Sequence, residues 1–311
     1  MRIIERGVGE IFAILSMTLF SVANVTINRG FDGGSRSQGA FLSIVITSGL
    51  SAIIWLALGV YDDFPAVSAT AVAWFALAGV LTVMIGRVFL YASIQSVGAI
   101  RGSAIKRLNP VFSVLLGVLI LGESLSAGGV AGMILIFSSF GVLVWSSIHG
   151  APRPDPESPR RSALGHLAEL GYLFGPVSAL AYATGYVVRK QGLTVMPDAV
   201  FGTMVGAIAG SAAFLAAAVV SERYRTDVVN TFTVFNPWLM IAGFTSTFGQ
   251  ICYFVALKYA TVSKIALITS MEVFLTMFLT WILFRGVVVI SRDLVTAALL
   301  GVVGTVLIIV F

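Results

Sequence analysis

Polar side chains recur at helical spacing inside otherwise apolar stretches of this chain, and the densest set is Gly102, Lys106, Asn109 and Ser113. Their spacing puts all four on one face of a helix. Pro110, beside them, lacks a backbone donor and leaves one upstream carbonyl without its helical partner, which makes it the expected hinge. Five further stripes follow the same rule: Ser21, Asn24 and Asn28; Arg87, Tyr91 and Gln95; Ser178, Tyr182 and Tyr186; Ser246, Gln250 and Tyr253; Thr269, Glu272, Thr276 and Thr280. These groups bind and release more readily than they break bonds. Amides and phenols exchange hydrogen bonds, Arg87 and Lys106 can attract an anion, and Glu272 can gain and lose a proton. The candidate substrate-binding set is therefore Asn24, Arg87, Tyr91, Lys106, Asn109, Tyr182, Gln250, Tyr253 and Glu272, with Glu272 also the candidate for proton coupling. Competing roles exist for each: Ser and Thr often bond their own helix backbone, tyrosines favour membrane interfaces, and Glu272 could form a structural ion pair with Lys106 or Arg107.

The elements that must position these groups are long and apolar. Ten stretches, about 9–28, 39–60, 69–96, 99–121, 128–147, 167–189, 199–220, 237–258, 262–284 and 292–311, are each long enough to cross a bilayer core of about 30 Å. Segments such as Ile44 to Leu58 lack the alternation a membrane strand needs, so helices are expected throughout. With 58% hydrophobic and 11% charged residues, too little polar surface exists to cover a soluble globule of 311 residues. The reading is an all-α integral membrane protein in the lipid bilayer. The first span follows Arg2 and Arg6, exceeds the length of a signal-peptide apolar core, and is expected to be retained.

Composition also excludes chemistry. Cys252 is the single cysteine, so no disulfide can form within one chain. His149 and His166 flank the central linker, and no HExxH or paired-carboxylate helix motif occurs, so neither a metal nor another cofactor is expected. A net charge of +5 scattered over short loops gives no surface for nucleic acid. No GxxxxGK[ST] loop supports ATP-driven pumping.

A proline-rich stretch at 148–166 divides the chain into halves of five spans, 1–147 and 167–311. At an offset of 163 residues Gly86 aligns with Gly249, Gly141 with Gly304, Tyr91 with Phe254, Arg101 with Lys264 and Ser113 with Thr276. An odd number of spans per half makes the second half enter from the opposite side, giving two inverted five-helix repeats, an architecture of secondary transporters.

The run Ser103-Ala104-Ile105-Lys106-Arg107-Leu108-Asn109-Pro110-Val111-Phe112, preceded by Tyr91-Ala92-Ser93 and followed by Leu121-Gly122-Glu123, resembles the fourth-span signature of EamA-type permeases of the drug/metabolite transporter superfamily. The second half echoes it from Ala256 to Phe274, with Val273 where the family has proline and Arg285-Gly286 where it has Gly-Glu. The resemblance implies a ten-helix permease of a bacterial inner membrane, often an exporter of amino acids, other metabolites or toxic compounds, with both termini cytoplasmic. The expected partner is a small-molecule substrate moved by alternating access. Protons are the leading coupling species, and facilitated diffusion or exchange is the alternative. A non-transporting scaffold and a membrane-embedded lipid-modifying enzyme are the competing classes, and oligomeric state is left open.

Loop charges conflict with that orientation. Arg2, Arg6, Arg189, Lys190, Lys258 and Lys264 fall inside, while the larger basic set, including Arg29, Arg36, Arg101, Arg153, Arg160, Arg161, Arg223, Arg225, Arg285 and Arg292, falls outside. Two glycine ridges, Gly202-Gly206-Gly210 and Gly128-Gly132, are expected to pack helices closely, against this chain or another subunit.

Overall fold

In the computed structural model the described residues are 2–30, 38–62, 64–87, 89, 108–149, 161–233, 235–283 and 292–311, and all regular structure among them is helical. The helices are α1 (Arg2–Gly30), α2 (Gln38–Asp62), α3 (Ala69–Gly79, continued by a π-helical segment Val80–Gly86), α4 (Asn109–Leu121), α5 (Ala127–His149) and α6 (Arg161–Val195). They continue as α7 (Ala199–Val220), α8 (Glu222–Thr233), α9 (Pro237–Tyr259), α10 (Val262–Thr269), α11 (Glu272–Leu283) and α12 (Arg292–Val310). Among the described residues, seven spans are long and apolar enough to cross a membrane, with α10 and α11 together forming one of them. Burial runs opposite to that of a water-soluble protein: Val220 is 90% and Leu119 70% exposed, while Ser21, Ser113, Ser178 and Thr247 are wholly buried. Lipid makes this arrangement favourable, because apolar side chains lose nothing against acyl chains and hydroxyls find partners inside. The protein is a multi-pass membrane protein.

Polar contacts and small residues join the helices. Ser16 Oγ donates to the Gly249 carbonyl at 2.8 Å, Ser178 Oγ to the Gly86 carbonyl at 2.5 Å, and the Thr47 and Thr247 hydroxyls meet at 3.0 Å. Both glycine ridges pack within the chain. A Cβ on Gly79 would lie 2.1 Å from the Gly206 carbonyl oxygen, and one on Gly132 would lie 2.5 Å from that of Gly304, so α3 meets α7 and α5 meets α12 backbone to backbone.

One end of the bundle gathers the beginning and end of the chain with the turns after α2, α4, α6 and α9. Lys264 pairs with Glu10 at 2.8 Å, and Trp55 Nε1 donates to Asp198 at 2.9 Å. Phe311 crowds Gly128, and Lys190 Nζ donates to the carbonyls of Leu257 and Ala260 at the end of α9. At the opposite end Asn236 binds the Gly30 carbonyl at 2.9 Å. The short polar α8 lies there too, with Tyr224 and Val228 packed on Phe41, Ile44 and Phe214.

Two spans differ in detail from the sequence reading. The sixth is longer, because its helix opens at Arg161 and runs to Val195, with Pro176 inside it. The ninth is interrupted: α10 stops at Thr269 and α11 restarts at Glu272 across a turn in which Met271 N–H donates to Ile268 O. In the fourth, α4 opens at Asn109 with Pro110 in its first turn, where the missing N–H costs nothing. Pro110 thus sits at the opening of α4, and the residues of the fourth span before Leu108 lie outside the described ones.

Candidate functional site

Two polar clusters occupy the interior. At the ninth-span break, Asn24 Nδ2 donates to Glu272 Oε1 at 2.8 Å and Ser21 Oγ donates to the Glu272 backbone carbonyl at 3.1 Å. The break is what brings Glu272 here, since it opens α11 and its carboxylate lies at the positive end of that helix dipole. Asn24 and Glu272, both sequence candidates, thus form one unit. Lys106 and Arg107, the ion-pair partners considered for Glu272, lie outside the described residues, as do Tyr91 and Gln95. Thr269 and Thr280 bond their own backbone at Ile265 and Thr276, the structural role weighed for them. The Thr276 hydroxyl is buried without a partner.

The second cluster centres on Arg189. The stripe Ser178, Tyr182, Tyr186 on α6 continues by one more turn to this residue, which is only 7% exposed. Helical side chains lean toward the N-terminus of their own helix, so the guanidinium reaches back from the end of α6 toward the bundle interior. Nη2 donates to Thr82 Oγ1 at 3.0 Å, within the π segment. The Gln250 amide, oriented oxygen-first toward the guanidinium, accepts from Nη1 at 2.5 Å and Nη2 at 2.9 Å. The guanidinium carbon lies 4.9 Å from the Phe254 ring centroid, 5.5 Å from Tyr186 and 5.8 Å from Tyr253.

Tyr186 extends this cluster toward α4. Its ring stacks at 4.9 Å on Tyr253, and its hydroxyl accepts from Asn109 Nδ2 at 3.3 Å, while Asn109 Oδ1 accepts from Ser113 Oγ at 3.0 Å. Tyr182 packs instead on Gly86, where an added Cβ would lie 2.9 Å from its ring. Arg87 is half-buried directly after the π segment.

Of the nine sequence candidates, the structure brings Asn24 and Glu272 together, sets Gln250 and Tyr253 against Arg189 with Asn109 joined to that cluster through Tyr186, and sets Tyr182 and Arg87 beside Gly86. Arg189 itself was counted among loop-flanking charges, and its burial corrects that count. Lys190 and Lys264, counted likewise, are held by helix-terminal carbonyls and by Glu10. Two signals could have exposed Arg189: its register with Tyr182 and Tyr186, and the apolar residues that follow it at Leu193 and Val195.

Glu123, part of the Leu-Gly-Glu motif, plays an architectural part. Gly122 turns with φ 65°, a left-handed conformation suited to glycine. The carboxylate it presents accepts from Val262 N–H at 2.6 Å, Ser263 N–H at 2.9 Å and Ser263 Oγ at 2.6 Å, capping α10.

The sequence model of the EamA-like transporter family matches this chain twice, over residues 7–145 and 169–310. The chain belongs to the EamA-like transporter family. Membership makes it a membrane transporter, and the family model matches once on each side of the central stretch. An uncharacterized transporter of Synechocystis sp. is 21% identical over 269 residues, covering 83% of this chain and 74% of that protein. A crystal structure of a protein at 16% identity superposes with a TM-score of 0.69 over 96% of this chain and 95% of its own, so this EamA-like chain shares its fold.

Proposed function

We propose that the protein is a secondary-active exporter of small metabolites, such as amino acids or related compounds, that works by alternating access in a bacterial inner membrane. The architecture is two inverted five-helix modules, 1–147 and 167–311, joined by the linker 148–166, for ten spans with both termini cytoplasmic. Asn24, Arg87, Tyr91, Lys106, Asn109, Tyr182, Gln250, Tyr253 and Glu272 line the solute path, with Pro110 at a hinge and Glu272 carrying the coupled proton.

One observation carries this reading. Asn24 donates to Glu272 where α11 restarts, and Asn109, where α4 opens, donates to Tyr186. Asn24 and Tyr186 stand 162 residues apart, Asn109 and Glu272 stand 163 apart, and the two family matches begin 162 apart. The two hydrogen bonds are thus counterparts under the repeat, each joining a first helix of one half to a helix start in the other. Discontinuous helices at corresponding positions of two inverted halves are where transporters of this architecture bind solute and coupling ion.

The test is flux in proteoliposomes carrying a pH gradient, with a panel of amino acids and organic acids. One coupled proton sustains at most about tenfold accumulation per pH unit, since a unit of pH is worth about 1.4 kcal/mol. Glu272→Gln is expected to abolish the accumulation and leave solute exchange intact. Undiminished accumulation in that variant would remove Glu272 from the coupling role, and failure of the wild type to move any solute would overturn the proposal itself.

A further inference from the structure

We infer that the Arg189 cluster binds the carboxylate of a small organic anion. The inference rests on the transporter reading above and gives its solute a chemical class. An unpaired cation in the interior costs several kcal/mol even after relaxation. Among the described residues, no carboxylate offsets Arg189: its hydrogen-bond partners are the neutral Thr82 and Gln250, and its remaining neighbours are the faces of Tyr186, Tyr253 and Phe254. Cation–π contact returns only part of that cost.

Two donors in the same cluster are unused. Among the described residues the Arg189 Nε–H and the Tyr253 hydroxyl are both buried with no partner, and Tyr253 is only 3% exposed. Buried donors left unmet are costly in a finished structure and are ready-made for an incoming acceptor. The charge count then selects the ligand. Lys190, the next cation along α6, is bound to two backbone carbonyls, so among the described residues of this cluster Arg189 is the one positive charge left for a ligand. One planar guanidinium fork matches one planar carboxylate, whereas a phosphate dianion would leave an uncompensated negative charge among aromatic rings. Tyr186 links this cluster to Asn109, so an occupant of the Arg189 site lies next to the opening of α4.

The alternative is a structural pin, in which the guanidinium only ties α6 to α3 and α9. Thermal unfolding of the full-length protein in detergent separates the two, using benzoate as probe, benzamide as its neutral isostere, inorganic phosphate as the other anion chemistry, and sodium chloride to match ionic strength. Benzoate is expected to raise the wild-type melting temperature in a saturable way, with benzamide and phosphate inert, and Arg189→Gln is expected to lose the response. Tyr253→Phe removes only an unpartnered hydroxyl, so it is expected to fold and to need about tenfold more benzoate for the same shift, the effect of one hydrogen bond to a charged group. The inference is overturned if folded Arg189→Gln keeps the benzoate response, if benzamide or phosphate matches benzoate, or if Tyr253→Phe leaves the benzoate midpoint unchanged. Should Arg189→Gln not fold, the Tyr253→Phe midpoint decides. A wild type that ignores benzoate overturns this site and leaves the transporter reading to the flux assay.

Discussion

Removing the Glu123 carboxylate should unlatch the first half of the chain from the start of α10. Oε1 accepts one backbone N–H and Oε2 accepts a second together with the Ser263 hydroxyl, all at 2.6–2.9 Å. Hydrogen bonds to a charged group contribute about 1.5–3 kcal/mol each, and charge at a helix N-terminus adds about 0.3–1 kcal/mol. A plain sum overstates the loss, because Glu123 is half-exposed near the end of the bundle and water can re-satisfy the freed donors. The expected destabilisation for Glu123→Ala is about 2–4 kcal/mol, nearer to the loss of a strong helix cap plus its charge than to three independent bonds. Glu123→Gln retains one acceptor oxygen but turns an NH2 toward the other donor, so about half that loss is expected. Gly117→Ala should act in the same direction from outside the carboxylate, since its Cβ would lie 2.5 Å from Glu123 Oε2 and 2.6 Å from Ser263 Oγ. Reversible unfolding in mixed micelles titrated with SDS reads all three. A Glu123→Ala variant within about 0.5 kcal/mol of wild type, the range of an ordinary surface substitution, would refute the assignment of this contact as a cap.

The α3–α7 contact makes an asymmetric prediction. Gly79→Ala forces backbone apart at a 2.1 Å approach and should cost about 1–3 kcal/mol, whereas Gly206→Ala meets nothing nearer than the Phe75 carbonyl at 3.4 Å and should be nearly neutral; equal effects in the same unfolding assay would contradict the geometry. A reporter fused after Phe311 should be active only when cytoplasmic, and one fused in the turn between α6 and α7, at Pro197, should report the same side because both lie at one end of the bundle; opposite signals would break the proposed topology.

The spans were legible in the sequence because length and hydropathy alone determine whether a segment can cross lipid. The breaks within them were not. Thr269-Ser270-Met271 contains neither proline nor glycine, and a one-turn interruption there leaves the apolar run unchanged, so only tertiary contacts reveal that Glu272 opens a new helix. Pro110 was visible, but whether it kinks a helix or begins one depends on its neighbours' hydrogen bonds. Gln250 and Tyr253 were found because helical spacing puts them on one face. Arg189 was missed because a basic residue followed at once by Lys190 near the end of an apolar run matches the pattern of a snorkelling flank. Distance from the helix end separates the two cases, and here α6 continues to Val195.

Two charged contacts join the halves at the end that carries both termini, Glu10 with Lys264 and Glu123 with the start of α10, while Lys190 ties α6 to the end of α9 within the second half. Under alternating access, opening toward that end must separate some of them. Charged pairs at such partly wet sites hold about 0.2–1 kcal/mol each when simply exposed and more when hydrogen-bonded to a helix terminus, so together they bias the conformational balance by a few kcal/mol. A ligand shifts that balance only by its difference in affinity between the two states. Moving a population from mostly closed to mostly open takes about 5.5 kcal/mol, more than loss of one latch supplies. Weakening a single latch should therefore raise the rate of opening without leaving the protein permanently open, and the solute must supply the rest through contacts that differ between states. The helix starts at Asn109 and Glu272 are where such differences can arise, because hydrogen bonds there cross between the halves and must exchange partners if the halves move.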